Sequence, residues 1–341
     1  MARVFTIIVP LAAPGVGDFY DLRPPRGEDW EVTELASSVS SGVTVAQVPE
    51  LEAGLVTAAS LALAAPPAFV RLSGIDLAAA ECNVRGWQGE TSIFINNACW
   101  LRLVNVEAGP IFVAATVRLI RRYGPNDPSS VVSGVAVLGG AIATPIIPPA
   151  GQDQLLTDVG SSVWTGTGTP LDMPNVQIDL TEAGNLAWVA DGLNSRGWDK
   201  PFEIYMNNTS YATLTPAGAA TIGWSAIIAR NQGPNGISSV ITRTRIVPVA
   251  TVVIIQPPVG EEWMITDIGC NAVLTGAPPI GLPTVTVTLA NLAGNAVIAQ
   301  IPAADKGWRG KIAYLLNNTN WMVLTAVAGD VVGVSGHRWL A

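Results

Sequence analysis

Three acidic residues recur at matching positions along the sequence, so they are the first candidates for chemistry. Glu34, Asp158 and Asp267 each follow a threonine and precede an apolar residue. A recurring carboxylate is a candidate general base or calcium ligand. Calcium sites and glycosidase clefts need several converging carboxylates, whereas only one acid recurs in each copy. We therefore expect these acids to bond a turn or an arginine.

Histidine and cysteine are too scarce to build a repeated catalytic or metal site. His337 is the only histidine, and the cysteines Cys82, Cys99 and Cys270 form no Cys-x-x-Cys pair. These counts disfavour a zinc site, and we expect the lone histidine to be structural rather than part of a triad. We predict a non-enzymatic chain with no catalytic residue, no cofactor and no metal.

A Gly-Trp pair, an Asn-Asn pair and an aromatic residue recur three times. The tryptophan precedes the first asparagine by nine residues, and the aromatic follows the second asparagine by three, in every copy. The three sets are Trp87, Asn96, Asn97 and Trp100; Trp198, Asn207, Asn208 and Tyr211; and Trp308, Asn317, Asn318 and Trp321. Exposed aromatic rings can stack on sugars, but equivalent aromatics in diverged copies more often pack a shared core. We interpret all twelve residues as structural.

A second block recurs upstream of each Gly-Trp pair. Pro24-Pro25, Pro148-Pro149 and Pro257-Pro258 are each followed, two residues later, by a glycine and then by alternating apolar and polar residues. The pattern predicts a tight turn that leads into a strand. The blocks lie 63, 50 and 51 residues apart within the three copies. The first copy therefore carries an insertion, which we place near residues 50–65.

Two similar linkers set the domain boundaries. The segments that begin at Gly124 and Gly233 each continue with Pro-Asn and end in a serine pair. Glycine, proline, asparagine and serine favour exposed turns. We predict three domains, at residues 1–123, 124–233 and 234–341.

The spacing of apolar residues predicts strands throughout. Segments such as Val285-Thr-Val287-Thr-Leu289 alternate with a period of two, turn residues interrupt them, and no amphipathic helix is evident. We expect about eight short strands in each copy, which favours a jelly roll over a seven-stranded immunoglobulin-like sandwich. The predicted fold is all-β, with three tandem antiparallel β-sandwich domains from an internal triplication. Each Asn-Asn pair is predicted to form the polar tip of a β-hairpin.

The composition limits the classes of partner. Only 13% of the residues are charged, against about 25% in ordinary soluble domains, and the net charge is −8. The low charge suggests a surface covered by partners, and nothing indicates a nucleic-acid binder. Glycine and proline interrupt the long apolar stretch at residues 131–151, so we predict two strands there and no membrane span. The cysteine usage suggests synthesis in a reducing compartment.

Tandem β-domains with so little charge resemble the structural proteins of virus particles. The nearest resemblance is to capsid cement or decoration proteins of tailed bacteriophages, and it is one of architecture without a family motif. It implies a virion location and other virion proteins as partners, the major capsid protein first among them. A tail, baseplate or fibre component and a carbohydrate-binding adhesin, with a glycan as partner, remain open alternatives. So do triangular and linear arrangements of the domains.

Differences between the copies are where we expect binding to reside. The insertion near residues 50–65 belongs to the first copy alone. We also predict that the N-terminal residues Met1 to Thr6 add as a strand to the sheet edge of a neighbour.

Overall fold

The structure of the chain is a computed structural model. The residues that it describes are 3–12, 19–39, 51–63, 68–70, 92–105, 109–124, 127–163, 176–182, 185–191, 203–231, 238–248, 252–271, 285–301 and 313–340. These residues form an all-β protein with several antiparallel sheets. The predicted all-β class is therefore confirmed.

The described strands fall into three successive groups of eight, which we call units 1, 2 and 3. Unit 1 contains β1 Val4–Leu11, β2 Phe19–Leu22, β3 Glu28–Val39, β4 Leu51–Thr57, β5 Ala68–Val70, β6 Ile93–Ile95, β7 Cys99–Asn105 and β8 Ile111–Arg122, with one helix, α1, at Ala58–Ala62. Unit 2 contains β9 Gly134–Leu138, β10 Thr144–Ile146, β11 Gln152–Val163, β12 Val176–Glu182, β13 Asn185–Asp191, β14 Ile204–Met206, β15 Ser210–Pro216 and β16 Ala220–Asn231. Unit 3 contains β17 Val240–Ile246, β18 Val252–Ile255, β19 Glu261–Asn271, β20 Val285–Asn291, β21 Gly294–Ile301, β22 Tyr314–Leu316, β23 Asn320–Thr325 and β24 Val331–Leu340.

The strands pair in the same order in every unit. In unit 1 the first sheet has the order β1-β8-β3-β6 and the second has β2-β7-β4-β5. Unit 3 repeats this with β17-β24-β19-β22 and β18-β23-β20-β21. In unit 2 the corresponding orders are β9-β16-β11-β14 and β10-β15-β12-β13. Each unit thus packs one group of four paired strands against another. The pairing of β5 with β11 joins the second group of unit 1 and the first group of unit 2 into one eight-stranded sheet.

The recurrent Pro-Pro-x-Gly segment starts the third strand of each unit. The backbone N–H of Glu28 donates to Pro25 O at 3.2 Å, and the matching bonds in units 2 and 3 are 3.1 Å long. Gly27, Gly151 and Gly260 all have φ between 80° and 84°. This is the left-handed geometry that the third position of a type II turn requires. The predicted turn before a strand is confirmed in all three places.

Apolar residues of the two sheets meet inside each unit. In unit 3, for example, Ile265 and Val334 of the first sheet and Val287 and Leu324 of the second are all fully buried. Separate clusters fill units 1 and 2. Val331 of unit 3 packs with the cluster of unit 2, so the core of unit 2 extends into its neighbour.

The Asn-Asn turns do not join hairpin strands, and that prediction is wrong. In unit 3 the turn connects β22, which pairs with β19, to β23, which pairs with β18 and β20. The same crossing occurs between β6 and β7 and between β14 and β15. The turn therefore carries the chain from one sheet to the other, because the sandwich core separates the two strands that it links.

The connection between the fourth and fifth strands differs most among the units. It spans residues 58–67 in unit 1, but only 183–184 in unit 2 and 292–293 in unit 3. Helix α1 begins here in a capping box, in which the backbone N–H of Ser60 donates to Thr57 Oγ1 and that of Thr57 donates to Ser60 Oγ. The helix lies against β9 of unit 2.

Two other predictions concern the N-terminal residues and the apolar stretch at residues 131–151. Val4, Phe5 and Thr6 pair with Arg118, Val117 and Thr116 of the same unit. Strand β1 lies at the edge of its sheet, so strand addition to a neighbour stays a prediction. Residues 131–151 form β9 and β10 with a turn between them, as expected. In the part of the chain that the structure describes, no helix is long and apolar enough to cross a membrane.

Candidate functional site at the junctions between units

The structure describes nine of the twelve motif residues. Trp87, Trp198 and Trp308 lie outside the described residues. Trp100 is 2% exposed, with the Arg23 guanidinium 4.0 Å from its ring centre. This buried ring cannot stack on a sugar, whereas the rings of Tyr211 and Trp321 are half-buried and partly accessible.

The first asparagine of each pair closes the turn between the two sheets. Asn96 Oδ1 accepts hydrogen bonds from the backbone N–H groups of Ala98 and Cys99, both at 2.8 Å. Asn207 and Asn317 make the same pair of bonds, at 2.8–2.9 Å. Asparagine suits this position because its side chain can bond backbone N–H groups two and three residues later.

The amide nitrogen of Asn96 also holds the linker that leads into unit 2. Asn96 Nδ2 donates to Ser129 Oγ at 2.9 Å. Ser129 Oγ donates to Asp29 Oδ1 at 2.5 Å, while the N–H and hydroxyl of Ser130 both donate to Asp29 Oδ2 at 2.7 Å. Asp29 is fully buried. We call this arrangement the Ser-Ser clamp.

An equivalent Ser-Ser clamp joins unit 2 to unit 3. Asn207 Nδ2 donates to Ser238 Oγ at 3.0 Å. Asp153 accepts from Ser238 Oγ at 2.6 Å and from the N–H and hydroxyl of Ser239 at 2.7 and 2.8 Å. Asp153 is fully buried and Ser239 is 3% exposed. The linkers were predicted to be exposed, and their serine ends are instead fixed on the preceding unit.

Unit 3 has a different residue where the clamp aspartate would stand. The position after Pro257-Pro258 that matches Asp29 and Asp153 is Glu262. Its carboxylate accepts a hydrogen bond from Trp339 Nε1 at 2.8 Å. The Glu262 carboxylate therefore binds a side chain of its own unit.

The second asparagine fixes the Pro-Pro segment in two of the units. Asn97 O accepts from Nε and Nη2 of Arg23 at 2.9 and 2.7 Å, and Asn97 Nδ2 donates to Pro24 O at 3.0 Å. In unit 3, Gln256 Nε2 donates to Asn318 O at 2.7 Å. The Asn-Asn motif and the Pro-Pro motif are thus neighbours in space.

A β-bulge threonine provides a second set of bonds at the first junction. The register of β11 on β16 shifts between Leu156 and Asp158. Thr157 is therefore the extra residue of a β-bulge, which changes the direction of its side chain. Its Oγ1 lies 2.8 Å from Ser92 O of unit 1 and 3.1 Å from Ser225 O. Ser225 Oγ accepts the backbone N–H of Phe94 at 2.6 Å.

The second junction repeats these bonds with other residues. Thr266 lies at the matching bulge, and its Oγ1 is 2.8 Å from Glu203 O of unit 2 and 3.2 Å from Ser335 O. Ser335 Oγ accepts the backbone N–H of Tyr205 at 3.0 Å. Ser225 and Ser335 are both fully buried. Each junction therefore docks the sixth strand of one unit on the first sheet of the next.

The recurring acids lie beside these bulges. Asp158 and Asp267 are 2% and 8% exposed, whereas Glu34 is exposed and accepts a bond from Thr116 Oγ1. Burial raises the pKa of Asp267 to about 7; the Thr266 bond lowers it, and the nearby Glu203 raises it further. The expected arginine partners are not found for Glu34 and Asp267 among the described contacts. Asp158 and Asp267 lie at the two junctions, whereas Glu34 lies at the matching register shift of unit 1.

The second junction also carries a cluster of charged and titratable side chains. Glu182 accepts from the backbone N–H of Thr244 at 2.7 Å and pairs with Arg243 and Arg245 at 3.2 Å. His337 lies 5.5 Å from the ring centre of Tyr205. Burial lowers the pKa of His337. The lone histidine therefore packs between two units.

The junctions hold neighbouring units together through hydrogen bonds to buried carboxylates. Within the described residues, no group of three or more His, Cys, Asp or Glu side chains could hold a metal ion. The buried carboxylates Asp29 and Asp153 have their oxygens occupied by serine donors. Sequence reasoning missed these two aspartates, although their place after each Pro-Pro-x-Gly turn and the serine pair in each linker were visible signals.

No family model matches the chain, and neither does any curated protein. One similar solved structure is a chain from the atomic structure of Sulfolobus Turreted Icosahedral Virus, with 8% identity and a TM-score of 0.19 over 98% of this chain and 89% of that chain. A TM-score this low supports no conclusion about fold or function.

Proposed function

We propose that the chain is a non-enzymatic structural protein of a virus particle, of the capsid cement or decoration type found in tailed bacteriophages. In this proposal it arose by triplication of one jelly-roll domain, and it binds the major capsid protein through several β-domains at once. Its location is the virion, after synthesis in the host cytoplasm.

The observation that carries the proposal is the strand order. Eight strands form two facing sheets, and the same order recurs in units 1, 2 and 3. Eight-stranded double-sheet jelly rolls are common in viral capsid domains, and they also occur in lectins and cupins.

Surface composition supports a partner-covered protein. Large apolar side chains are exposed on all three units, including Ile8 at 67%, Ile142 at 55% and Ile254 at 60%. Exposed apolar surface of this kind often marks protein contacts. The junctions hold the three units in fixed relation, which favours simultaneous binding to several lattice positions.

Particle fractionation tests the proposal. We expect the protein to co-sediment with purified particles at a copy number that matches sites of the capsid lattice. Particles that lack it should lose resistance to heat and salt, because the bridging contacts between capsid subunits are gone. A soluble protein that never accompanies particles would overturn the proposal.

A tail or fibre component is the second candidate. It is favoured by the junction geometry, because the same contact joins unit 1 to unit 2 and unit 2 to unit 3 in series. Electron microscopy of antibody-labelled particles separates the two, since label on the shell supports cement and label on the tail supports a fibre. A glycan array probed with Tyr211→Ala and Trp321→Ala variants tests the sugar-binding alternative.

A further inference from the structure

We propose that copies of this chain bind one another head to tail, with the first sheet of unit 1 in one copy docking on the sixth strand of unit 3 in the next. The contact would repeat the sheet-to-strand part of the junction that is already present twice within the chain. It goes beyond the virion role and does not depend on it.

The first sheet of unit 1 presents the receiving half of the junction without a cover. Val4 is 59% exposed, whereas the matching residues Val131 and Val240 are each 5% exposed beneath the preceding unit. Phe112 is 42% exposed, against 3% for the matching Val331. We call this surface the head face: Val4, Ile8, Thr33, Phe112 and Thr116.

The hydrogen-bonding groups of the head face are already in place. Thr33 lies at a register shift of β3 on β8, as Thr157 and Thr266 do in units 2 and 3. Thr33 Oγ1 lies 3.3 Å from Thr116 O. The corresponding distances in units 2 and 3 are 3.1 and 3.2 Å.

The sixth strand of unit 3 presents the inserting half. Leu315 is 67% exposed, whereas the matching Phe94 of unit 1 is 6% exposed under unit 2. By the same register, Leu315 N–H and Ala313 O match the groups that bind the serine and the bulge threonine at the first junction. We call Ala313 and Leu315 the tail edge.

A second copy is the occupant that fits both surfaces. Val4, Ile8 and Phe112 stay exposed within one chain, so the chain's own unit 3 does not cover them. Thr33 and Thr116 of one copy would meet Ala313 O and Leu315 N–H of another, which reproduces the bulge-threonine and serine bonds of both internal junctions. The Ser-Ser clamp has no counterpart in this contact, because Arg3 stands where Ser130 and Ser239 stand and Glu262 binds Trp339. Because the two surfaces differ, the contact is heterologous and leads to rings or filaments.

Sedimentation of two complementary variants tests the proposal. Ile8→Glu removes the head face, and Leu315→Glu removes the tail edge, while both side chains are exposed enough for the fold to tolerate the change. Each should weaken association about a hundredfold or more, because docking would bury a carboxylate without a partner. Ile142→Glu, at a 55% exposed isoleucine outside both surfaces, is the matched control.

The mixture of the two variants gives the sharpest outcome. The wild-type chain and Ile142→Glu should grow in mass with concentration, each junction variant alone should stay monomeric, and an equimolar mixture should form dimers and stop there. A wild-type monomer at every concentration would overturn the proposal. So would a mixture that remains monomeric, or a loss of association in only one variant, since that indicates a symmetric contact. Circular dichroism of both variants checks that they are folded.

Discussion

The two internal junctions share their backbone contacts and differ in their side chains. Both use a Ser-Ser clamp on a buried aspartate and a bulge threonine that bridges two carbonyl oxygens. At the first junction β5 also pairs with β11, so one sheet runs through units 1 and 2. At the second junction the additional contacts are the Glu182 ion pairs and the His337 side chain, whereas Asp267 has a buried counterpart, Asp158, at the first junction.

The parts that the two junctions share are the parts that specify how the units dock. The clamp and the bulge are the parts kept in both places, so they set the geometry of docking. Strand pairing at one junction and ionisable groups at the other are local additions. We therefore expect the second junction to respond to pH and salt more strongly than the first.

The largest expected effect comes from removing a clamp aspartate. Asp153→Ala leaves three buried donors without an acceptor and should cost roughly 3–5 kcal/mol at the second junction. Asp29→Ala should do the same at the first. Limited proteolysis checks this, because each variant should become cleavable in its own linker, near residues 232–237 or 125–128.

Separate junctions imply separate outcomes for these two variants. If Asp153→Ala also opened the linker of the first junction, the two clamps would not be independent. Asp127→Ala, at an exposed position of the first linker, is the control and should leave proteolysis of the second linker unchanged.

The next largest effect is the pH dependence of the second junction. Burial raises the pKa of Asp267 from 3.8 to about 7, so the folded chain retains a proton that the unfolded chain has released. The stability contribution is full below about pH 4 and is lost as the pH rises through about 7, by roughly 2–4 kcal/mol. Asp267→Asn should remove this loss. Urea unfolding in steps of pH measures it.

The control for Asp267 is the same position in unit 1. Glu34→Gln removes the matching carboxyl at an exposed position away from the second junction, so the loss of stability assigned to Asp267 should persist in this variant. His337 acts in the opposite direction, since burial lowers its pKa and its contribution is lost as the pH falls through that pKa. An unchanged profile in Asp267→Asn would contradict the assignment.

A smaller effect is expected at the ion pairs of Glu182. The partners Arg243 and Arg245 have side chains that are 37% and 54% exposed, so solvent screens the pairs. Glu182→Gln should cost about 1–2 kcal/mol, mainly through the weaker bond to Thr244 N–H. Unfolding at low and high salt should show that the cost shrinks with salt. Glu28→Gln, beside the 62% exposed Arg122, is the control.

The smallest effect tests the shared part of the junctions. Thr157→Val and Thr266→Val each remove one bridging hydroxyl and should cost about 0.5–1.5 kcal/mol. The two costs should agree, since the distances to the preceding unit are 2.8 Å in both cases. Thr33→Val, on the head face, should cost less in the monomer. Thermal unfolding compares the three, and unequal costs at the two junctions would contradict a common docking geometry.

Local features of the fold were predictable from the sequence. The Pro-Pro-x-Gly turns, the alternating strands and the absence of long helices in the described residues follow from short-range propensities. The partner of each strand did not follow. An Asn-Asn turn looks the same whether it joins paired strands or carries the chain across a sandwich, because the asparagine bonds only its own neighbours.

The junction was less predictable than the fold. Asp29 and Ser129 are 100 residues apart in the chain, and no local pattern signals a pair so distant. The serine pairs favour turns by composition, although here they are anchored to a buried carboxylate. The bulge threonines Thr157 and Thr266 carry no local signal of their own, because a bulge depends on the register of a partner strand that is distant in the sequence.

One asparagine in each junction bonds both its own turn and the linker to the next unit, so the units should fold in order from the N-terminus. Asn96 can hold Ser129 only after its own turn has closed, and Asn207 stands in the same relation to Ser238. A folded unit thus provides the binding site for the linker that leads into the next unit. We expect residues 1–233 to fold without unit 3, and residues 124–341 to refold more slowly than the whole chain. Equal refolding rates for residues 124–341 and for the whole chain would contradict this order. During synthesis from the amino terminus, each unit would be folded before the next one needs it.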